Sequence, residues 1–186
     1  MKHILVYLSL VAGLLVSCQR TSQFTIEGIV SHAEGETLYL EHTALMQTSV
    51  VDSCVLTAKG DFLLKASAPQ YPDFYRLRIG RNSLILAIDS TEVITITATR
   101  DSLANTLAIE NSDNTLIIAQ LRAMAHASSR EDLREEAKKI IVANPRSLAA
   151  YYAVFMKQNG EYIWNIFDPS DRRMFQAVAT SFHTWM

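Results

Sequence analysis

The chain has 186 residues, of which 49% are hydrophobic and 19% charged, and a formal net charge of −2. That mixture is globular and excludes a disordered or fibrous chain. The length suits one ordinary domain with at most a smaller appendage. Without a concentrated excess of Lys and Arg there is no nucleic-acid footprint, and no nucleic-acid partner is expected.

Met1 to His3 form a short basic head, and Ile4 to Leu15 an uncharged apolar run of signal-peptide length. Even extended to Cys18, the run is too short for a membrane-spanning helix of about 20 residues. It closes on Leu15-Val16-Ser17-Cys18, which has the form of a lipobox. Small residues before the cysteine fit a signal peptidase cleft, and the free thiol accepts a diacylglyceryl group. Several acyl chains on one residue then give an anchorage that a single chain does not. Residues 1–17 are therefore expected to be a lipoprotein signal peptide, with lipidation at Cys18 and the membrane as a partner through that anchor. Gln19, where some lipoproteins carry Asp, favours the outer membrane facing the periplasm by resemblance to Gram-negative lipoproteins.

Residues 18–23 read as a polar tether. From Phe24 the pattern has period two: Phe24 and Ile26, Leu38 and Leu40, Phe62 and Leu64, Tyr75, Leu77 and Ile79, and Ile94 and Ile96 each mark one face of a strand. Ser83 to Ile88 is nearly continuous and is expected to be buried on both faces, and Thr106 to Glu110 adds a short last strand. Glu34-Gly35-Glu36, Lys59-Gly60-Asp61, Gly80-Arg81-Asn82 and Asp89-Ser90 supply turn residues between the runs. Residues 24–110 are thus expected to form an antiparallel β-sandwich or open barrel. Cys54, alone in the mature chain, lies among Val50, Val51, Val55 and Leu56 and is expected to be a poorly reactive thiol in a buried strand.

After Asn111 the period becomes helical, and residues 111–186 are expected to hold about four helices. Ser112 or Asp113 caps the first, carrying Ile117, Leu121 and Met124. Ser129-Arg130-Glu131-Asp132 resembles a capping box for the second, carrying Leu133, Ala137, Ile140 and Ile141. Ser147 caps a third with Tyr152, Phe155 and Met156, ending at Asn159-Gly160. Asp168-Pro169 opens a fourth with Met174, Phe175, Val178 and Phe182. Strands first and helices after make the fold α+β.

No G-x-S-x-G, H-E-x-x-H, Walker or dinucleotide motif occurs, and no catalytic residue, cofactor or metal is expected. His32, His42, His126 and His183 lack metal-ligand spacing and read as surface or satisfied histidines. One cluster stands out. Arg76 and Arg78 point to the same side of a strand, opposite Tyr75, Leu77 and Ile79, and Arg81 follows. Such a stripe is a candidate contact for an anionic ligand or a partner, against the plainer reading of a solvated sheet face. Trp164, Trp185, Tyr151, Tyr152 and Tyr162 suit sugar stacking or, more simply, packing between helices.

The run Val51-Asp52-Ser53 through Lys59-Gly60-Asp61-Phe62, followed by Pro72 and Tyr75-Arg76-Leu77, resembles the β-rich domain of unknown function that precedes the thioredoxin-like domain of TlpA/ResA-type membrane-anchored oxidoreductases. Asn111-Ser112-Asp113-Asn114, Asn144-Pro145-Arg146-Ser147 and Ala149-Ala150-Tyr151-Tyr152 resemble that family's helical linker, with Asn111 where Gly is usual. The resemblance implies a C-x-x-C in a following thioredoxin-like domain, which this chain does not contain. The expected function is accordingly a membrane-anchored periplasmic lipoprotein module with a non-catalytic binding or scaffolding role. The alternative is the N-terminal part of a thiol–disulfide oxidoreductase, whose partner is the absent thioredoxin-like domain. Phe182 and Trp185 near the terminus are expected to leave an apolar patch that promotes association.

Overall fold

A computed structural model describes residues 22–44, 47–106 and 108–183. The signal segment, Cys18 and Trp185 lie outside the described residues. The first half of the chain forms strands β1 (Gln23–Ser31), β2 (Thr37–Thr43), β3 (Thr48–Val55), β4 (Asp61–Ser67), β5 (Asp73–Ile79), β6 (Asn82–Ile88), β7 (Val93–Thr99) and β8 (Ile109–Glu110). They make two open four-stranded sheets, in the orders β4-β1-β7-β8 and β3-β2-β5-β6. The alternating apolar residues point between the sheets: Phe24, Ile26, Leu38, Leu40, Leu64, Leu77, Leu86, Ile94 and Ile96 are fully buried in one cluster. Each such side chain contributes about 1.5–3 kcal/mol by leaving water. The sandwich holds and the barrel does not form.

Three details differ from the sequence reading. β1 pairs with β7 in parallel, Thr25 opposite Val93 through Ser31 opposite Thr99. A period-two pattern fixes which face is buried and carries no strand direction. Gly28 permits this pairing: at φ 144° its backbone lies so close to β7 that a Cβ would stand 1.9 Å from the Ile96 carbonyl oxygen. β3 is an edge strand, and its Val50, Val51 and Val55 are 53%, 40% and 65% exposed. Cys54 alone turns partly inward against the core. Burial, followed by the charge of Asp52, pushes its thiol above the ordinary value, but the surrounding strand is not buried. The tether is also shorter than expected, because Gln23 already pairs with Ser67.

The second half carries α1 (Asp113–Ala127), α2 (Arg130–Ala143), α3 (Leu148–Phe155) and α4 (Arg172–His183). Ser112, Ser129 and Ser147 cap the first three, each accepting a backbone N–H three residues on. α1 lies across β6, where the Thr115 hydroxyl accepts from the Ala87 N–H at 3.0 Å and Ile118 packs with Ala87 and Leu148. That contact is why β6 is buried on both faces. A second core of Leu121, Leu133, Ile141, Val154, Trp164 and Val178 joins the four helices.

One helix boundary corrects the sequence reading. α3 stops at Phe155, and Asn159-Gly160 instead forms the turn between β9 (Lys157–Gln158) and β10 (Glu161–Tyr162). Both turn residues have positive φ, 53° and 86°, as a tight hairpin turn of the I′ kind requires. Asp168-Pro169 opens the turn that leads into α4, the Asp168 carbonyl accepting from the Arg172 N–H at 3.0 Å. The Asp168 carboxylate accepts from the Ser170 N–H at 2.8 Å and so caps that turn, and the regular helix follows from Arg172.

Candidate functional site

The short third helix sends the chain outward, and the segment from Ile163 to Asp171 is then fastened at both ends. The Arg134 guanidinium donates to the Asp171 carboxylate at 2.5 and 3.2 Å and to the Ile163 carbonyl. It also lies 4.4 Å over the Trp164 ring. Asp171, 5% exposed, accepts the Asn165 N–H at 2.9 Å as well. The hydrogen bonds from Arg134 hold its carboxyl below the ordinary value against the opposing effect of burial. Trp164 is buried and its indole N–H donates to the Ala153 carbonyl at 3.0 Å.

Between these fastenings the segment turns Ile166 and Phe167 outward, 49% and 85% exposed, beside Phe155 at 47% and Tyr162 at 53%. Together with Trp164, Asn165 and Phe175 they line a cleft of about 460 Å³. The rings continue away from it: Phe155 meets Phe175 at 5.8 Å and Tyr151 at 5.1 Å, and Tyr151 meets Phe182 at 5.7 Å and Phe74 of β5 at 6.0 Å. An aromatic band thus runs from the β-sandwich across the helices to Phe167. A second cleft of about 680 Å³, lined by Pro72, Asp73, Phe74, Tyr151 and Phe182, opens at its sandwich end. Scattered apolar side chains on a surface are ordinary, whereas a contiguous aromatic surface around a cleft marks a contact site.

Phe155 lies on the third helix with Tyr152 and Met156, as expected, and no periodicity marks Ile166 and Phe167, which lie in an irregular segment. Tyr162 and Tyr151 do lie in the band, but Trp164 is held inside by its own hydrogen bond. Phe182 packs half-buried against Tyr151, so the most exposed apolar surface described here is at Phe167.

The arginine stripe has a different character from the one expected. Antiparallel pairing sets Glu41 opposite Arg76 and Tyr39 opposite Arg78 on the outer face of the sheet. The Glu41 carboxylate accepts Arg76 Nε and Arg78 Nε, both at 2.7 Å, and Arg78 stacks 4.4 Å over Tyr39. Glu41 is 4% exposed. Burial pushes its carboxyl up, and the hydrogen bonds and charges of Arg78 and Arg76 outweigh this and hold it below the ordinary range. Arg81 lies exposed in the β5–β6 turn, outside the cluster. The stripe is therefore an ion-pair network carrying one excess positive charge. His42 bonds to Asp73 at 2.8 Å and stacks on Tyr75. Among the described residues no group of three His, Cys, Asp or Glu side chains is arranged to hold a metal ion.

The family model of a domain of unknown function, DUF4369, matches residues 24–119, just over half of the chain. No curated protein matches the chain. Among solved structures, a 5-hydroxyisourate hydrolase from Klebsiella pneumoniae is similar at 16% identity, over 41% of this chain and 90% of that one, with a TM-score of 0.28. A 9R-lipoxygenase from Cyanothece PCC8801 is similar at 10% identity over 70% of this chain and 25% of its own, with a TM-score of 0.25. Neither likeness bears on activity at these values.

Proposed function

The chain belongs to the DUF4369 family, and from that premise we propose that it is a non-catalytic binding module, anchored to a membrane by a lipid on Cys18, that receives a partner protein on its aromatic band. The anchor reading rests on the apolar run Ile4 to Leu15 and the lipobox ending at Cys18, and the residue Gln19 favours the outer membrane, facing the periplasm. The observation that carries the binding reading is the cleft around Phe167. An 85% exposed phenylalanine leaves more than about 100 Å² of apolar surface in water unless something covers it. The cleft is concave and aromatic, the composition of the energetic centre of protein interfaces. Its neighbours Glu161, Asp168, Arg172 and Arg173 are exposed and of both signs, which suits a polar rim around an apolar centre.

Incorporating a photo-crosslinking phenylalanine analogue at Phe167 in cells tests this, with Tyr71 on the β4–β5 loop as a control position. A discrete protein adduct from Phe167 and none of that mass from Tyr71 is expected. The same adducts from both positions, or none from either, would remove the reading.

The resemblance to TlpA/ResA-type lipoproteins favours a second reading, in which the same band docks a thioredoxin-like domain. It is supported by Asn144-Pro145-Arg146-Ser147 and Ala149-Ala150-Tyr151-Tyr152, which resemble that family's linker and supply Tyr151 to the band. A thioredoxin-like protein as the adduct at Phe167 would favour this second reading.

A further inference from the structure

We infer that Arg122, His126 and Lys157 form a binding pocket for a phosphate group, on the opposite end of α3 from the sandwich and sharing no lining residue with the aromatic cleft. Arg122 and His126 stand one helical turn apart on α1, and Lys157 arrives on β9. With Tyr152, Gln158 and the Asn159-Gly160 turn they line a cavity of about 340 Å³ in which no carboxylate takes part. The Arg122 Nε is buried and has no hydrogen-bond partner. Buried donors are nearly always paired, and a charged one left unpaired is costly. The other half-buried arginines underline the difference: Arg76, Arg78, Arg100 and Arg134 each hold a carboxylate. Lys157 makes no ion pair among the described residues, its ammonium standing 4.4 Å over the Tyr162 ring.

The chemistry favours a phosphate. Arg122 and Lys157 bring two positive charges, which match a dianion, and a guanidinium presents a planar fork of donors suited to two phosphate oxygens. His126 and the Tyr152 hydroxyl add hydrogen-bonding groups. The end of α1 would oppose an anion through its free carbonyls. Gln158 offsets part of that opposition, because its side-chain amide donates to the carbonyl of Ala125 in the last turn at 3.2 Å and to that of Ser128 just beyond it at 3.0 Å.

Side-chain resonances of ¹⁵N-labelled full-length chain provide the test, since an arginine Nε–H is observed directly. The Arg122 signal, assigned by its loss in Arg122→Lys, should shift saturably when inorganic phosphate replaces chloride at constant ionic strength. Lys157→Gln, a change at an exposed position, should weaken that binding about tenfold while leaving the rest of the spectrum in place. A parallel titration with monomeric dihexanoyl phosphatidylglycerol separates the sources: stronger binding of the lipid identifies a phospholipid headgroup, equal or weaker binding a free phosphate compound. No saturable shift with either probe, or a shift that Lys157→Gln leaves unaltered, overturns the inference.

Discussion

At Glu41 a carboxylate that water scarcely reaches holds two arginines from the next strand. Removing one partner of a fully buried pair costs about 3–5 kcal/mol. Arg76 and Arg78, with side chains 33% and 28% exposed, can recover part of their hydration, so Glu41→Gln is expected to cost about 2 kcal/mol in urea denaturation. The sign with pH follows from the lowered folded pKa. The contribution is fully present above the ordinary carboxyl value of 4.5 and is lost as pH falls below it toward the lower folded value. Wild type should therefore lose stability in that window more steeply than Glu41→Gln, and equal slopes would deny the network. Alternation along β5 was enough to place Arg76 and Arg78 on one face. Their partner was not legible, because Glu41 becomes a neighbour only when β2 pairs with β5, past the two intervening strands β3 and β4.

Among the elements, the segment Ile163 to Asp171 sets what the surface presents. Its geometry depends on Arg134 reaching from α2, so Asp171→Asn should loosen the segment without dissolving the sandwich. A loss of about 2 kcal/mol is expected in the helical half, read as amide exchange from Ile163 to Asp171 rising tenfold or more while β1 and β7 keep their protection. Unchanged exchange would show that the segment is held by Trp164 alone. Helix starts were legible because they are local: a serine before Thr115, Asp132 and Ala150 needs only its own next residues to cap. Helix ends were less so. Asn159-Gly160 is both a stop signal and a hairpin turn, and the two readings differ only in whether Lys157 and Tyr162 find each other across it. Pro169 suits a first helical turn, and Asp168 before it caps that turn through the Ser170 N–H.

For the molecule as a whole, the α+β class was legible because period two and period 3.6 occupy separate halves of the chain. The packing of the halves was legible only through Ser83 to Ile88, whose nearly continuous apolar run announced a strand covered on both faces, here by α1. The aromatic band was not, since it joins Phe74, Tyr151, Phe155 and Phe167 from elements distant in sequence. An exposed phenylalanine and a core phenylalanine are the same letter until the backbone turns are known. If the band is a protein-binding surface, it should be covered where the chain works and bare elsewhere. Hydroxyl-radical oxidation of side chains measures this directly, comparing the chain in its native membranes with the purified chain in protein-free lipid vesicles. Phe167 and Tyr162 should be protected severalfold in native membranes only, while Tyr71, 59% exposed on the sandwich, oxidises equally in both. Equal oxidation of Phe167 in the two preparations would contradict a partner on this face.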